Sequence, residues 1–155
     1  MRSVVAVKTR LLERLQARDQ LADVQVSYQH RGQQQQREAI WFGPGTEDAS
    51  QRVAVLTRPT GGRRATIDET LTIPIYVEAR LRGGSQQDAD QRAVDLFTEV
   101  DDQLREDPRI DRDQLPEVTG ARLTGGTMLS GHLDDGHACR IQANLQVTTR
   151  IPGSQ

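Results

Sequence analysis

The apolar positions of this chain fall into two helical stripes and several alternating runs. Val4, Val7, Leu11, Leu12 and Leu15 recur at spacings that stack them on one face of a helix, while Arg10, Glu13 and Arg14 fall elsewhere. The pattern predicts a helix over residues 3–18, with Ser3 placed to cap it. Ala89, Ala93, Leu96, Phe97, Val100 and Leu104 make a second stripe. Ser85, with Asp88 three residues later, resembles a capping box at its start, and Asp107-Pro108 closes it.

Between and after the helices the period changes from helical to alternate. Val24, Val26 and Tyr28 alternate with polar residues, and Glu38 to Phe42 is a second β-prone stretch. His30-Arg31-Gly32 and the four glutamines Gln33, Gln34, Gln35 and Gln36 lie between them, which predicts a hairpin with a long polar tip. Val53-Ala54-Val55-Leu56, the turn Pro59-Thr60-Gly61-Gly62 and the run over residues 71–81 predict a second hairpin. On its return strand Leu71, Ile73, Ile75, Val77, Ala79 and Leu81 share one face. Pro74 on the other parity lacks an amide proton, implying an edge strand or an irregularity there.

Residues 123–133, then Asp134-Asp135-Gly136, then a long run predict a third hairpin. In that run Cys139, Ile141, Ala143, Leu145, Val147, Thr149 and Ile151 alternate with Arg140, Gln142, Asn144, Gln146, Thr148 and Arg150. One face is apolar and the other polar. Helix, two hairpins, helix and one hairpin together predict a single α+β domain over residues 1–155. Its predominantly antiparallel (mixed) sheet carries two α-helices packed on one face. The polar face, rich in Gln, Asn, Thr and Arg, can hydrogen-bond a partner without forming a sticky apolar patch.

Composition sharpens this in one respect. Only 35% of residues are hydrophobic and 3% aromatic, so aliphatic side chains must supply nearly all the burial that opposes chain entropy. A monomer with this inventory is expected to be marginal, and partner chains are the remedy. The 20 basic and 22 acidic residues leave a net charge of −2, which excludes a global nucleic-acid footprint. No apolar run reaches the ~20 residues that span a bilayer, and no signal-peptide-like stretch is seen, so a cytoplasmic protein is expected. The single cysteine, Cys139, excludes an intrachain disulfide framework.

Catalytic and metal chemistry find little material. His132, His137 and Cys139 flank a turn with ligand-type side chains, but Cys139 belongs to the apolar set and reads as a core thiol, so no metal site or cofactor is expected. Asp101-Asp102 and Asp134-Asp135 read as solvated surface rather than an acid–base pair. Nucleophile-elbow, phosphate-loop and zinc-helix motifs do not occur, and the reading is of a protein that is not an enzyme. Arg58, Arg63 and Arg64 crowd the Gly61-Gly62 turn but are followed by Asp68 and Glu69 with no interleaved aromatic, which favours an interface or a solvated loop over nucleic-acid recognition.

Four stretches carry a family likeness: Val4-Val5-Ala6-Val7-Lys8, the run Asp68-Glu69-Thr70-Leu71-Thr72-Ile73-Pro74-Ile75-Tyr76-Val77, the helix end Leu104-Arg105-Glu106-Asp107-Pro108, and Cys139-Arg140-Ile141-Gln142-Ala143-Asn144-Leu145. Together they resemble the tail terminator, or tail-completion, proteins of long-tailed bacteriophages. The resemblance implies a ring-forming subunit, usually a hexamer, at the head-proximal end of the virion tail, assembled in the host cytoplasm. It would bind copies of itself, the major tail tube protein and a head-completion or connector protein, with DNA passing through the lumen without specific binding and no membrane contact. Another head–tail joining protein, or a tail tube protein, is the alternative. The segment from Arg58 to Ile67, with Arg63 and Arg64, and the Gln33 to Gln36 tip are expected to meet neighbouring subunits or the tube, because both are polar, glycine-bearing extensions.

Overall fold

The computed structural model describes residues 2–30, 37–47 and 66–152. It is an α+β fold: α1 (Arg2–Gln16), β1 (Gln25–Ser27), β2 (Glu38–Phe42), β3 (Thr46–Glu47), β4 (Thr66–Arg82), α2 (Gln86–Glu106), β5 (Val118–Leu133) and β6 (Gly136–Pro152). The strands form one mixed sheet in the order β1-β2-β4-β6-β5, with β3 continuing the β2 side of β4.

Both helices lie on one face, as the periodicity requires. Leu71, Ile73, Ile75, Val77 and Ala79 of β4 and Cys139, Ile141, Ala143, Leu145 and Val147 of β6 are buried in one cluster with Val7, Leu11 and Leu15 of α1 and Ala89, Ala93, Leu96, Val100 and Leu104 of α2. Among the largest fully buried side chains only Phe42 is aromatic, so aliphatic burial dominates, at roughly 1.5–3 kcal/mol per large side chain. The capping box at α2 is present: the Ser85 hydroxyl accepts from the Asp88 amide, and the Asp88 carboxylate accepts from the Ser85 amide.

Polar ties then fix the helices in place. Arg18, just after α1, donates to Glu99 (2.9 Å), Gln103 (3.0 Å) and Glu106 (2.9 Å), clamping the end of α1 onto α2. At the other end of α2, Asp90 accepts from Gln86 (2.9 Å) and from the Ser130 hydroxyl (2.8 Å), and Gln86 also donates to the Ala138 carbonyl (2.9 Å). The helix start is thereby tied to the β5–β6 hairpin.

Two expectations are corrected. β1 and β2 do not form a hairpin: they pair in parallel, with Gln25 opposite Ala39, Val26 opposite Ile40 and Ser27 opposite Trp41. Alternation reports which face a residue takes, not which way the chain runs, and with β1 only three residues long the chain has little distance to retrace before β2 begins. The strand bearing Pro74 is not an edge. β4 is central, with β2 and β3 on one side and β6 on the other.

Pro74 is accommodated by an irregularity instead, the other form the sequence allowed. The Gly43 amide donates to the Pro74 carbonyl at 2.8 Å, which is half of an antiparallel exchange pair. Proline has no amide to return the bond, and the Gly43 carbonyl accepts from the Lys8 ammonium at 3.1 Å. β2 ends at Phe42, one residue before this missing bond, and β3 resumes the pairing at Thr46 opposite Thr72. Val53-Ala54-Val55-Leu56, the outgoing strand of the expected second hairpin, lies outside the described residues.

One buried residue carries strain. Ile110, in the turn after α2, has φ 64°, a left-handed conformation rare for a β-branched side chain. Its full burial supplies what offsets the ~1–2 kcal/mol cost.

Candidate assembly surface

The side of the sheet away from the helices is polar, and its charges are paired across strands. Arg150 of β6 holds Asp68 of β4 at 2.8 Å, pulling that carboxyl below its usual range, and Arg140 holds Glu78 at 3.2 Å. Arg80 flanks the same Glu78 carboxylate at 3.5 Å, and Arg122 of β5 donates to Gln146 at 3.0 Å. Few of these guanidinium groups are free to seek an external anion.

An aromatic cluster stands on this face where β2 ends. Trp41 and Tyr76, opposite each other in the β2–β4 register, stack at 5.4 Å with their planes 8° apart. His30 meets the indole edge-on at 4.9 Å, and the Arg140 guanidinium lies 5.1 Å from its ring centre. Nearby, the Lys8 ammonium sits 3.9 Å from the Tyr28 ring centre, and burial pushes its pKa down.

The outer strand β5 makes the second surface. Among the described residues it pairs only with β6, leaving its other edge open along sixteen residues. Natural edge strands are shielded by charge, proline, shortness or bulges. β5 has no proline, and Arg122 is its only permanently charged residue. Bulges interrupt its pairing after Val118 and after Thr124, the second at Gly125, whose φ of 69° lies in the left-handed region that favours glycine. Met128 and Leu129 are 47% and 61% exposed.

Of the interface residues expected from sequence, Gln33, Gln34, Gln35, Gln36, Arg58, Arg63 and Arg64 lie outside the described residues. Ile67 lies within β4, opposite Ile151 of β6. The aromatic cluster was not anticipated, although a signal for it exists. Tyr76 falls on the polar parity of β4, with Thr72, Glu78 and Arg80, which is where a large ring meets a partner or another ring, whereas Trp41 shares its parity in β2 with Ala39 and carries no such signal.

His132 and His137 face each other across the hairpin with ring centres 5.2 Å apart. Cys139 lies further along β6 on the core face, fully buried, near Asp90 and Ser130. Burial, and then the Asp90 carboxylate, push its thiol from 9.0 to about 11. The folded state therefore disfavours the thiolate, and the unfolded chain loses this proton first as pH rises. Stability is expected to fall between pH 9 and 11, and urea titrations in that window should show a steeper decline for the natural chain than for Cys139→Ala.

A chain of a solved structure described as "Virion of native gene transfer agent (GTA) particle" has a similar fold, with a TM-score of 0.53 and 14% identity over 94% of this chain and 94% of that chain. At that identity the likeness is one of fold. No family model matches the chain, and no curated protein matches its sequence.

Proposed function

We propose that this chain is a structural protein of a phage-like virion. In the finer reading it is a tail terminator that caps the head-proximal end of the tail tube as a hexameric ring, ends tube polymerisation and offers a docking surface to head-completion or connector proteins. The observation that carries the reading is the likeness of fold to a chain of a gene transfer agent virion, because it covers nearly the whole of both chains rather than one shared motif. The surfaces support it. A ring subunit must present two different, complementary patches to its neighbours. A sheet with one face closed by helices and a long edge at β5, bulged twice but unpaired among the described residues, has material for them. Cross-strand pairing of Arg140 and Arg150 with Glu78 and Asp68 suits a lumen through which DNA passes without adhesion, since each free cation would add a salt-sensitive phosphate contact.

Negative-stain imaging of the purified chain mixed with tail tubes tests the proposal. Rings at one tube end are expected, and a chain that stays monomeric with tubes present and never occupies their ends overturns it. Deletion separates the terminator from its relatives in the head–tail joint. Loss of a terminator gives overlong tails or tails that fail to join heads, whereas loss of a head-closure protein leaves normal tails beside leaking heads. Gln33 to Gln36, Arg58, Arg63, Arg64 and Ile67 remain the proposed contacts to neighbours or tube. Arg63→Asp with Arg64→Asp is expected to block capping with an unchanged circular dichroism spectrum, and unchanged capping removes that segment from the interface.

A further inference from the structure

The aromatic cluster borders a cleft of about 480 Å³ lined by Lys8, His30, Trp41, Tyr76 and Arg140 together with backbone around Gly43 and Pro44. Among the described residues, no aspartate or glutamate lines it. The two permanent cations differ in their surroundings. Arg140 already has the Glu78 carboxylate at 3.2 Å. Lys8, only 5% exposed, has no carboxylate partner among the described residues, and its ammonium is held by the Gly43 carbonyl and the Tyr28 ring. A buried ammonium without a counter-charge is costly, and an anion delivered from outside removes that cost.

We propose that this cleft binds an acidic segment of a partner protein, seating a carboxylate on Lys8 and an apolar side chain against the half-buried Tyr76 beside Trp41. Charge complementarity names the partner: the lining is cationic while the chain as a whole carries −2. A nucleic acid fits the same surface less well. Base stacking needs a free ring face, and the indole of Trp41 is 6% exposed, in contact with Tyr76, His30 and Arg140. A phosphate backbone needs a cationic track, and the sheet surface beyond the cleft sets Glu78 and Asp68 against its arginines. This inference goes beyond capping and does not depend on where the protein sits in a particle.

Trp41 is the only tryptophan, so its fluorescence reports the cleft directly. The isolated full chain is titrated with a capped hexapeptide of alternating glutamate and leucine, with its glutamine–leucine analogue, and with a single-stranded DNA dodecamer. The expected result is a saturable change with the glutamate peptide, at least tenfold weaker binding of the glutamine peptide, weaker binding still of DNA, and at least fivefold weakening in Lys8→Met. The comparison of the two peptides on the natural chain stands even if Lys8→Met does not fold. No saturable change up to 10-millimolar peptide (about the weak limit of specific contacts), equal binding of both peptides, or tighter binding of DNA than of the glutamate peptide overturns the proposal. Because tail tubes take no part in the titration and its readout is peptide binding rather than assembly, its failure leaves the capping proposal untouched, and failure of capping leaves this one standing.

Discussion

Met128→Lys combined with Leu129→Lys is expected to abolish the proposed ring assembly while leaving the chain folded. The two residues are neighbours on β5, so their side chains leave opposite faces of the same open edge. Both are already largely exposed, and neither belongs to the buried cluster, so the monomer loses little when they change. An interface between copies, in contrast, loses the burial of two large apolar side chains, about 1.5–3 kcal/mol each, and must desolvate two ammonium groups. A loss of about 3–6 kcal/mol corresponds to a hundredfold to ten-thousandfold weaker association. Light scattering coupled to size exclusion reads it as conversion of rings to monomers at equal concentration. Val5→Lys, at an exposed apolar position on α1, is the matched control and is expected to leave the ring unchanged. Rings that persist in the double variant would remove the β5 edge from the interface between copies.

Gly136→Ala is expected to be the most damaging small substitution in the described fold. Gly136 opens β6, opposite Arg82 of β4 on one side and Leu133 of β5 on the other. A methyl group built there runs into the Leu81 carbonyl oxygen and comes within 3.1 Å of the Arg82 Cα. Backbone cannot turn aside as a side chain does, so the end of β4 must separate from β6. The expected cost is about 2–4 kcal/mol, the upper end for overpacking. The residue needs no left-handed torsion, so the effect is one of space alone. Gly131→Ala, five residues earlier, meets nothing within 4 Å and is expected to change stability by no more than ~0.5 kcal/mol. Urea midpoints of the two variants, measured side by side, check the contrast; equal midpoints would show that the hairpin end adjusts freely.

The difference between what was legible in the chain and what was not follows from the kind of information each feature carries. The α2 helix, its Ser85–Asp88 cap and the buried parity of β4 and β6 depend on residues close in sequence, and periodicity reads such relations directly. The direction of β1 against β2 depends on the path of the intervening chain, which periodicity does not encode. Pro74 looked like the mark of an edge because its missing donor usually points to solvent. Here the gap points at Gly43, whose carbonyl is taken by a lysine from a helix far away in sequence. The Trp41–Tyr76 stack depends on a register between strands separated by residues 43–65, so only the placement of Tyr76 on the polar parity of β4 is visible in the sequence.

The pairing of β4 with β6 has a kinetic consequence. β5 and β6 are joined by Asp134-Asp135 alone, so their ladder closes over a minimal loop. β4 must find β6 across the whole of α2 and β5, with Arg82 meeting Gly136 and Thr66 meeting Pro152 at the far end. Topologies dominated by such distant partners fold slowly, because the chain entropy of closure is spent before the contacts form. The hairpin is therefore expected to form early with both of its edges open, and the arrival of β4 to be the late event that chooses which edge is filled from within. Until then, a nascent chain exposes both pairing edges of this hairpin, of which, among the described residues, the finished sheet leaves only that of β5 unfilled.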